Sequence, residues 1–469
     1  MKSLFVVLAI LSTTHSISNF TCADDWRGFR GENGSGVAEG EQDLPVEIGL
    51  DKNLLWKTEV PEGISSPVIV GGRVFLTAVE AGPKISTIAL DAKSGEVLWR
   101  VAAPIGRKSK GKRLATTTPV GDGKMVCSFF GSAGLFCYDT NGKLLWSKDF
   151  GRLQNQFNHA ASPLLIDDKV VMVLDHDGPS FVVALDASTG EEVWRCHRFV
   201  FGRNYASPTI WSFDERKYIV VTGSGLVTGY DAETGIPVWY IRGTSAVVNP
   251  TPVIGGNNYL FVHGSSPPSG AKMSPHGDLR KMFDANGDSE LQLDELPPSF
   301  LGTFFKTFDG NGNGGIDAKE YNVFKEFSQP FHKGMSAFKP GGTGDLSETN
   351  VAWSESGSMP RTPSALCYDG VLFTLSEGGV LQSFAADSGE LLSKQRVEAR
   401  GNIYSSPALG DGKIYLGSRD GEIAVVSAEA EPQNLHSANI GGDIQASVAI
   451  ANGRIFFRTG KALVCFGKK

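Results

Sequence analysis

"ALDAKSGEVLWR", Ala89 to Arg100, returns as "ALDASTGEEVWR" from Ala184 to Arg195 and as "GYDAETGIPVWY" from Gly229 to Tyr240. A copy one residue shorter, "CYDTNGKLLWS", spans Cys137 to Ser147, and a weaker one, "SFAADSGELLSK", spans Ser383 to Lys394. Each unit reads as a strand ending in Asp, a tight turn and a strand carrying Trp. The turn uses Gly95, Gly190, Gly235 or Gly389, because a positive φ costs glycine almost nothing. A repeat of this kind cannot bury its apolar face alone, so the copies must pack on one another.

A second mark precedes each unit, a small residue before Pro. It stands at Ser66-Pro67, Thr118-Pro119, Ser162-Pro163, Ser207-Pro208, Thr251-Pro252, Thr362-Pro363, Ser406-Pro407 and, without the Pro, Ala446-Ser447. The eight starts recur about every 44 residues, the period of four-stranded propeller blades. From Pro252 to Pro363, however, is 111 positions. The excess marks an insertion, at residues 271–332, into the fifth blade.

The last unit stops before its Trp strand, whereas "NLLWKTEV", Asn53 to Val60, is a Trp strand with nothing before it. The spacing therefore predicts that the N-terminal strand completes blade eight and leaves the ring without open ends. The fold class expected is all-β: an eight-bladed propeller over residues 24–469, carrying a small α-helical insert. Trp99, Trp146, Trp194, Trp239 and Trp353 recur in equivalent positions, which makes them wedges between blades rather than a binding site.

Composition agrees. The chain has 469 residues, 41% of them hydrophobic, with 57 Gly that call for many turns. Lys2, the apolar run Leu4 to Leu11 and the small residues Thr21 and Ala23 form an export signal over residues 1–23, cleaved before Asp24. Cys22 lacks the preceding Leu and small residues of a lipid-attachment site. No later stretch is apolar for long enough to cross a membrane as a helix. The expected location is periplasmic or extracellular, and the expected state is monomeric.

Cys127, Cys137, Cys196, Cys367 and Cys465 remain after the signal, an odd and scattered set that is no disulfide framework. Cys127 and Cys137 flank a hairpin and can either pair or pack as core thiols, the reading preferred. The net charge of −7 argues against nucleic acid. The basic run "GRKSKGKR", Gly106 to Arg113, reads as a solvated loop between strands.

The repeat, with an N-terminal "DWRGFRG" and "SSPVIVGGRVFL", resembles the bacterial pyrroloquinoline-quinone-like (PQQ-like) propeller family over nearly all of the mature chain. That family is similar in fold both to quinoprotein alcohol dehydrogenases and to the propeller lipoprotein of the outer-membrane barrel assembly machinery. The resemblance thus leaves function open. A quinoprotein reading implies PQQ, a metal that polarises the quinone and an Asp base. Similar enzymes also carry an adjacent Cys-Cys pair, and this chain has none. No G-x-S-x-G, H-E-x-x-H or phosphate loop is present either. His176 and His197 read as hydrogen-bonded structural residues.

The insert holds two loops that fit the calcium EF-hand pattern of oxygen ligands at positions 1, 3, 5, 7, 9 and 12. In "DGNGNGGIDAKE" these are Asp309, Asn311, Asn313, the Gly315 carbonyl, Asp317 and Glu320, with Gly314 at the sharp turn. In "DANGDSELQLDE" they are Asp284, Asn286, Asp288, the Glu290 carbonyl, Gln292 and Glu295, but Ser289 replaces the turn glycine, so the second Ca²⁺ site should be the stronger. Leu291 and Ile316, at position eight of each loop, should form a short β-bridge.

The insert is expected between the second and third strands of blade five, on the face where blades connect. Asn158, His159, Arg203, Asn204, Tyr205, Asn249, Arg361, Arg400, Asn402 and Tyr404 lie in those connections and are candidate ligand-face residues. Three arginines converging there would suit a carboxylate or other small anion. With enzyme motifs missing, the favoured reading is a non-enzymatic scaffold for a protein partner; PQQ catalysis and an anion or acidic-glycan module are the alternatives.

Overall fold

A computed structural model describes residues 25–41, 43–80, 84–104, 115–155, 158–199, 201–223, 225–245, 249–264, 274–327 and 333–468. The export signal, Cys22 and the basic run lie outside these residues, as do both ends of the insert.

Eight antiparallel sheets of four consecutive strands, a to d from the inside outward, follow one another around an axis. Blade one comprises Val68–Val70, Arg73–Glu80, Lys84–Asp91 and Val97–Ala102. Blade five comprises Val253–Gly255, Tyr259–Gly264, Gly334–Phe338 and Val351–Ser356, and the insert leaves between its strands b and c. Blade eight takes a to c from Ala449–Ala451, Arg454–Arg458 and Ala462–Gly467, while its strand d is the N-terminal Leu54–Glu59. The ring thus closes as the sequence predicts.

The recurring Trp explains the recurring Gly. Trp56, Trp99, Trp146, Trp194 and Trp353 each donate an indole N–H to a carbonyl of the next blade, from Trp56 to Ala92 through Trp353 to Ala386. Each indole also lies against the next blade's c–d turn glycine: a Cβ on Gly95 would stand 2.5 Å from the Trp56 ring. That glycine has φ +75, so the turn needs both the left-handed conformation and the missing side chain. Across from each Trp, strand c supplies a small partner, Ala89 for Trp99, Ala184 for Trp194, Cys137 for Trp146 and Cys465 for Trp56.

Trp239 departs from this series. Its indole folds back over Gly229 of its own blade, meets Trp211 edge-on at 5.3 Å and leaves Nε1 without a partner. The cause lies in blade five, whose strands c and d are joined by a long loop instead of the glycine turn; that loop adds Gly344–Asp345 to the outer edge of blade four.

Cys127 and Cys137 form a disulfide, which corrects the expectation of two thiols. They oppose each other directly across strands b and c of blade two, the arrangement in which facing side chains come closest. Cys196, Cys367 and Cys465 are free.

An inner ring of hydrogen bonds ties the blades together. The backbone N–H of Ser66 donates to Thr118 Oγ1, that of Thr118 to Ser162 Oγ, and that of Ser162 to Ser207 Oγ. On the other side Thr251 donates to Ser364, Ser364 to Ser406, Ser406 to Ser447 and Ser447 to Ser66, at 3.0 Å each. These are the hydroxyl residues before the recurrent Pro. In blade six the position is Ser364, with Ala365 where others have Pro, so Thr362-Pro363 lies two residues ahead of the true register. The ring is interrupted once, between blades four and five, where the buried Thr251 Oγ1 has no partner.

Candidate functional site

Because the a–b turns lie on one face and the blade connections on the other, the two ends of the axis differ. The N-terminal segment crosses the a–b face. Trp26 bridges Ile69 of blade one, Gly121 of blade two donates to the Arg27 carbonyl, Asn33 bonds Ile210 of blade four, and Val37 pairs with Leu409 of blade seven. The Arg30 side chain, fully buried, donates to the Ala365 carbonyl of blade six. Phe29 from this segment floors a well that opens toward the connection face.

The well has a volume of about 390 Å³. Its wall is the hydroxyl ring: Ser66, Thr118, Ser162, Ser207, Ser406 and Ser447 all line it. Above them stand Ile64, Thr116, Ala160, Tyr205, Asn249, Thr362, Tyr404 and Gln445. No Asp, Glu, Lys, Arg or His is among the described residues that line it.

Three of the ten ligand-face candidates, Tyr205, Asn249 and Tyr404, reach the well. Asn249 is fixed by donating to the Arg361 carbonyl at 3.0 Å. Tyr404 carries the Arg419 guanidinium 5.5 Å from its ring centroid, and Arg419 is itself held by both carboxylate oxygens of Asp443. The three arginines are not among the described lining residues. Arg203 pairs with Asp177 at 2.8 Å, and the exposed Arg361 and Arg400 lie outside the lining. The Asn402 carbonyl takes the Arg419 N–H, and Asn204 is buried, donating to the Thr222 carbonyl. Asn158 sits at φ +62.

His159 is buried beside Phe129 and His176, with neither ring nitrogen bonded. Burial, aided by His176, pushes its pKa down to about 3, so the ring is neutral. The hydroxyl wall and the Phe29 floor are not among the candidates named from the sequence, although the recurrent Ser or Thr of each blade start carries the signal of the wall.

The insert lies over blades three and four. Its helices are α1 (His276–Phe283), α2 (Phe300–Thr303), α3 (Phe305–Phe308) and α4 (Ala318–Phe327). Phe300 packs on Phe201 and Tyr240, and Phe283 on Phe199, while the His197 N–H donates to the Pro298 carbonyl. Leu291 pairs with Ile316 and Gln292 with Gly315 in a two-stranded bridge between the loops. One connection, residues 198–208, therefore touches the insert at Phe199 and Phe201 and the well at Tyr205 and Ser207. Beneath it the buried Arg198 and Asp175 form a two-bond ion pair at 2.8 and 3.0 Å.

The second loop curls around its own oxygens. Asp309 accepts from the N–H groups of Asn313 and Gly314, Glu320 from those of Asn311 and Asp317, and the side-chain Oδ1 atoms of Asn311 and Asn313 from the N–H groups of Asn313 and Gly315. Each oxygen keeps lone pairs to spare, so the set fits a hard cation. Among the described residues no three His, Cys, Asp or Glu side chains cluster as a metal site. A cation here has to draw on Asn311, Asn313 and the Gly315 carbonyl as well. In the first loop Ser289 takes the strained turn at φ +80, and Asp284 is engaged by Arg280 at 3.1 Å.

A family profile described as "Outer membrane protein assembly factor BamB" matches residues 46–106 and 84–266. This match and the eight-bladed ring agree. The chain belongs to the PQQ-like β-propeller family. An outer membrane protein assembly factor BamB from Kangiella koreensis is 28% identical over 212 residues, covering 43% of this chain and 50% of that protein. One from Burkholderia pseudomallei is 29% identical over 198 residues, covering 40% and 46%. The matched part of this PQQ-like propeller spans about half the length of these relatives.

Two solved structures share the fold. BamB from Moraxella catarrhalis superposes with a TM-score of 0.54 at 16% identity, covering 88% of this chain and 98% of its own. Quinohemoprotein alcohol dehydrogenase from Comamonas testosteroni gives 0.58 at 13% identity, covering 95% and 81%. The well does not fit the dehydrogenase cofactor. PQQ is a tricarboxylate, and its binding calls for cations and for acidic ligands to a metal, none of which is among the described lining residues. The Cys127–Cys137 disulfide is not among them either; it is buried in blade two.

Proposed function

We propose that this propeller is an exported, calcium-binding, non-enzymatic scaffold that takes part in protein assembly at the outer membrane. The observation that carries the reading is the similarity to BamB relatives over the blades, joined to a well with no Asp, Glu, His, Lys or Cys among its described lining residues to activate the hydroxyls there. The relatives' names favour the periplasmic side over the extracellular one. Among the described residues no helix is long and apolar enough to cross a membrane. The work of such a protein falls to its rigid, loop-bearing faces and to a protein partner.

The insert binds Ca²⁺ at two EF-hand loops, Asp309 to Glu320 more tightly than Asp284 to Glu295. Three ligating carboxylates per loop suit the weak range of extracellular modules, roughly 10⁻⁴ to 10⁻³ M. Bound calcium holds the helices that carry Phe283 and Phe300, and so braces the connection between blades three and four.

Three experiments test this. Calorimetry should show calcium heats that Glu320→Gln largely removes at the second loop; unchanged heats reject the calcium site. Cells lacking the protein should contain less folded barrel protein in the outer membrane, and restoration by the wild-type chain should be complete. Normal barrel content rejects the assembly role. PQQ added to the purified protein should leave no bound quinone spectrum.

A further inference from the structure

We propose that the axial well is a binding site for a neutral sugar ring, a pyranose or a pyranose unit of a glycan. The inference rests on the chemistry of the lining and does not depend on the assembly role or on calcium.

The wall first defines what can bind. Each of the six ring hydroxyls that line the well already accepts a backbone N–H from the preceding blade. One lone pair of each Oγ is thereby used, and its own hydrogen is left to donate. Among the described residues no acceptor takes the O–H hydrogen of Ser66, Thr118, Ser162, Ser207, Ser406 or Ser447. The wall therefore offers an arc of neutral hydroxyl donors, fixed by a network that runs around the axis with one interruption. A ligand that satisfies them brings several acceptor oxygens on one face.

The rim adds the other half. Tyr205 and Tyr404 supply aromatic surface, while Asn249 and Gln445 supply amides that donate and accept. Gln445 Nε2 is anchored on Asp443 at 2.7 Å, and Asp443 in turn holds Arg419 against Tyr404, so one carboxylate sets both the amide and the aromatic ring. The rim polar groups are thus positioned rather than free to reorient. Aromatic rings for the C–H faces of a sugar, amides for its hydroxyls and a hydroxyl wall below form one consistent set.

Charge decides between ligand classes. A carboxylate or phosphate ligand would enter a well with no Lys, Arg or His among its described lining residues, and would lose hydration without an ionic partner. An ammonium or metal ligand would find no carboxylate. A neutral polyol loses only hydrogen bonds with water and regains them from the wall. The volume of about 390 Å³ lies within the usual ~300–1,000 Å³ for small-molecule sites, and Phe29 closes the floor. The ligand therefore enters from the connection face and stops at the N-terminal segment.

The test uses the full-length protein with glucose, N-acetylglucosamine, glucuronate, inorganic phosphate and an uncharged capped tripeptide as probes. Saturation-transfer NMR and calorimetry report binding. A neutral sugar should bind in the millimolar range or tighter, and glucuronate and phosphate at least tenfold more weakly. Tyr404→Ala should weaken the sugar about tenfold. The exposed Asn249→Ala should weaken it severalfold with an unchanged unfolding midpoint, which separates loss of the site from loss of the fold. Preferential binding of glucuronate, phosphate or the peptide would overturn the proposal, as would no sugar binding at millimolar concentration, or sugar binding untouched by both substitutions.

Discussion

Thr118 and Thr251 occupy the same ring position in different blades and are equally buried, at 1% and 2% exposure. Thr118 Oγ1 accepts the Ser66 N–H at 3.0 Å, whereas Thr251 Oγ1 accepts nothing. Replacing each with Val keeps the shape and removes the hydroxyl. Thr118→Val strands a buried backbone N–H at the junction of blades one and two, which costs about 1–3 kcal/mol. Thr251→Val removes a buried hydroxyl that has no partner, leaves its own N–H on Ser364, and should be neutral or stabilise by about 1 kcal/mol. The two variants should therefore differ by roughly 1–4 kcal/mol, with Thr118→Val the less stable. Urea unfolding followed by tryptophan fluorescence measures this as a lower midpoint for Thr118→Val and an equal or higher one for Thr251→Val. Equal losses in both variants would refute the interrupted ring and show that the blade-four junction is closed like the others.

Other outcomes follow from packing and charge. Gly95 and Gly72 share a left-handed φ of +75 and +72, but only Gly95 sits under an indole; Gly72→Ala should cost about 1 kcal/mol and Gly95→Ala about 2–4, read as unfolding midpoints. Asp175→Asn leaves the Arg198 guanidinium buried without a counter-charge and should cost about 3–5 kcal/mol, with a smaller loss when Arg198→Met is added. For His159, the folded pKa of about 3 lies below the ordinary 6.5, so the unfolded chain binds the extra proton first. Its contribution is intact above pH 6.5 and is lost as pH falls toward 3, by up to about 1.4 kcal/mol per unit. In His159→Gln the stability measured from pH 7 to pH 4 should fall less steeply than in wild type.

The fold was legible because its cause is periodic. Gly95, Gly190, Gly235 and Gly389 recur since each receives a neighbour's tryptophan, and a repeated contact writes a repeated residue. Misreadings came where a contact is not repeated. Trp239 keeps the sequence pattern, yet the long c–d loop of blade five removes the glycine it would cover, a fact located 100 residues away. Thr362-Pro363 imitates the ring mark two residues early, and only the hydrogen bond from Thr251 to Ser364 sets the register. The pairing of Cys127 with Cys137 depends on strand register, which a hairpin sequence states only to within a residue. At the site, Tyr205, Asn249 and Tyr404 line the well, whereas Arg203, Arg361 and Arg400 are not among its described lining residues. Loop sequences show which charges are nearby, not that Asp177 has already taken Arg203.

Blade eight is made from both ends of the chain, and this orders events in time. A chain synthesised from its N-terminus holds Leu54–Glu59 roughly 400 residues before Ala462–Gly467, its partner strand, is made. Until then the Trp56 strand has an unpaired edge, and the plug carrying Phe29 and Arg30 has no complete wall to seat against. The well is thus complete only once Ala462–Gly467 has paired with Leu54–Glu59. A nascent or truncated molecule would present an adhesive strand in place of a finished ring, which gives any chaperone that reads exposed strands a simple criterion for release.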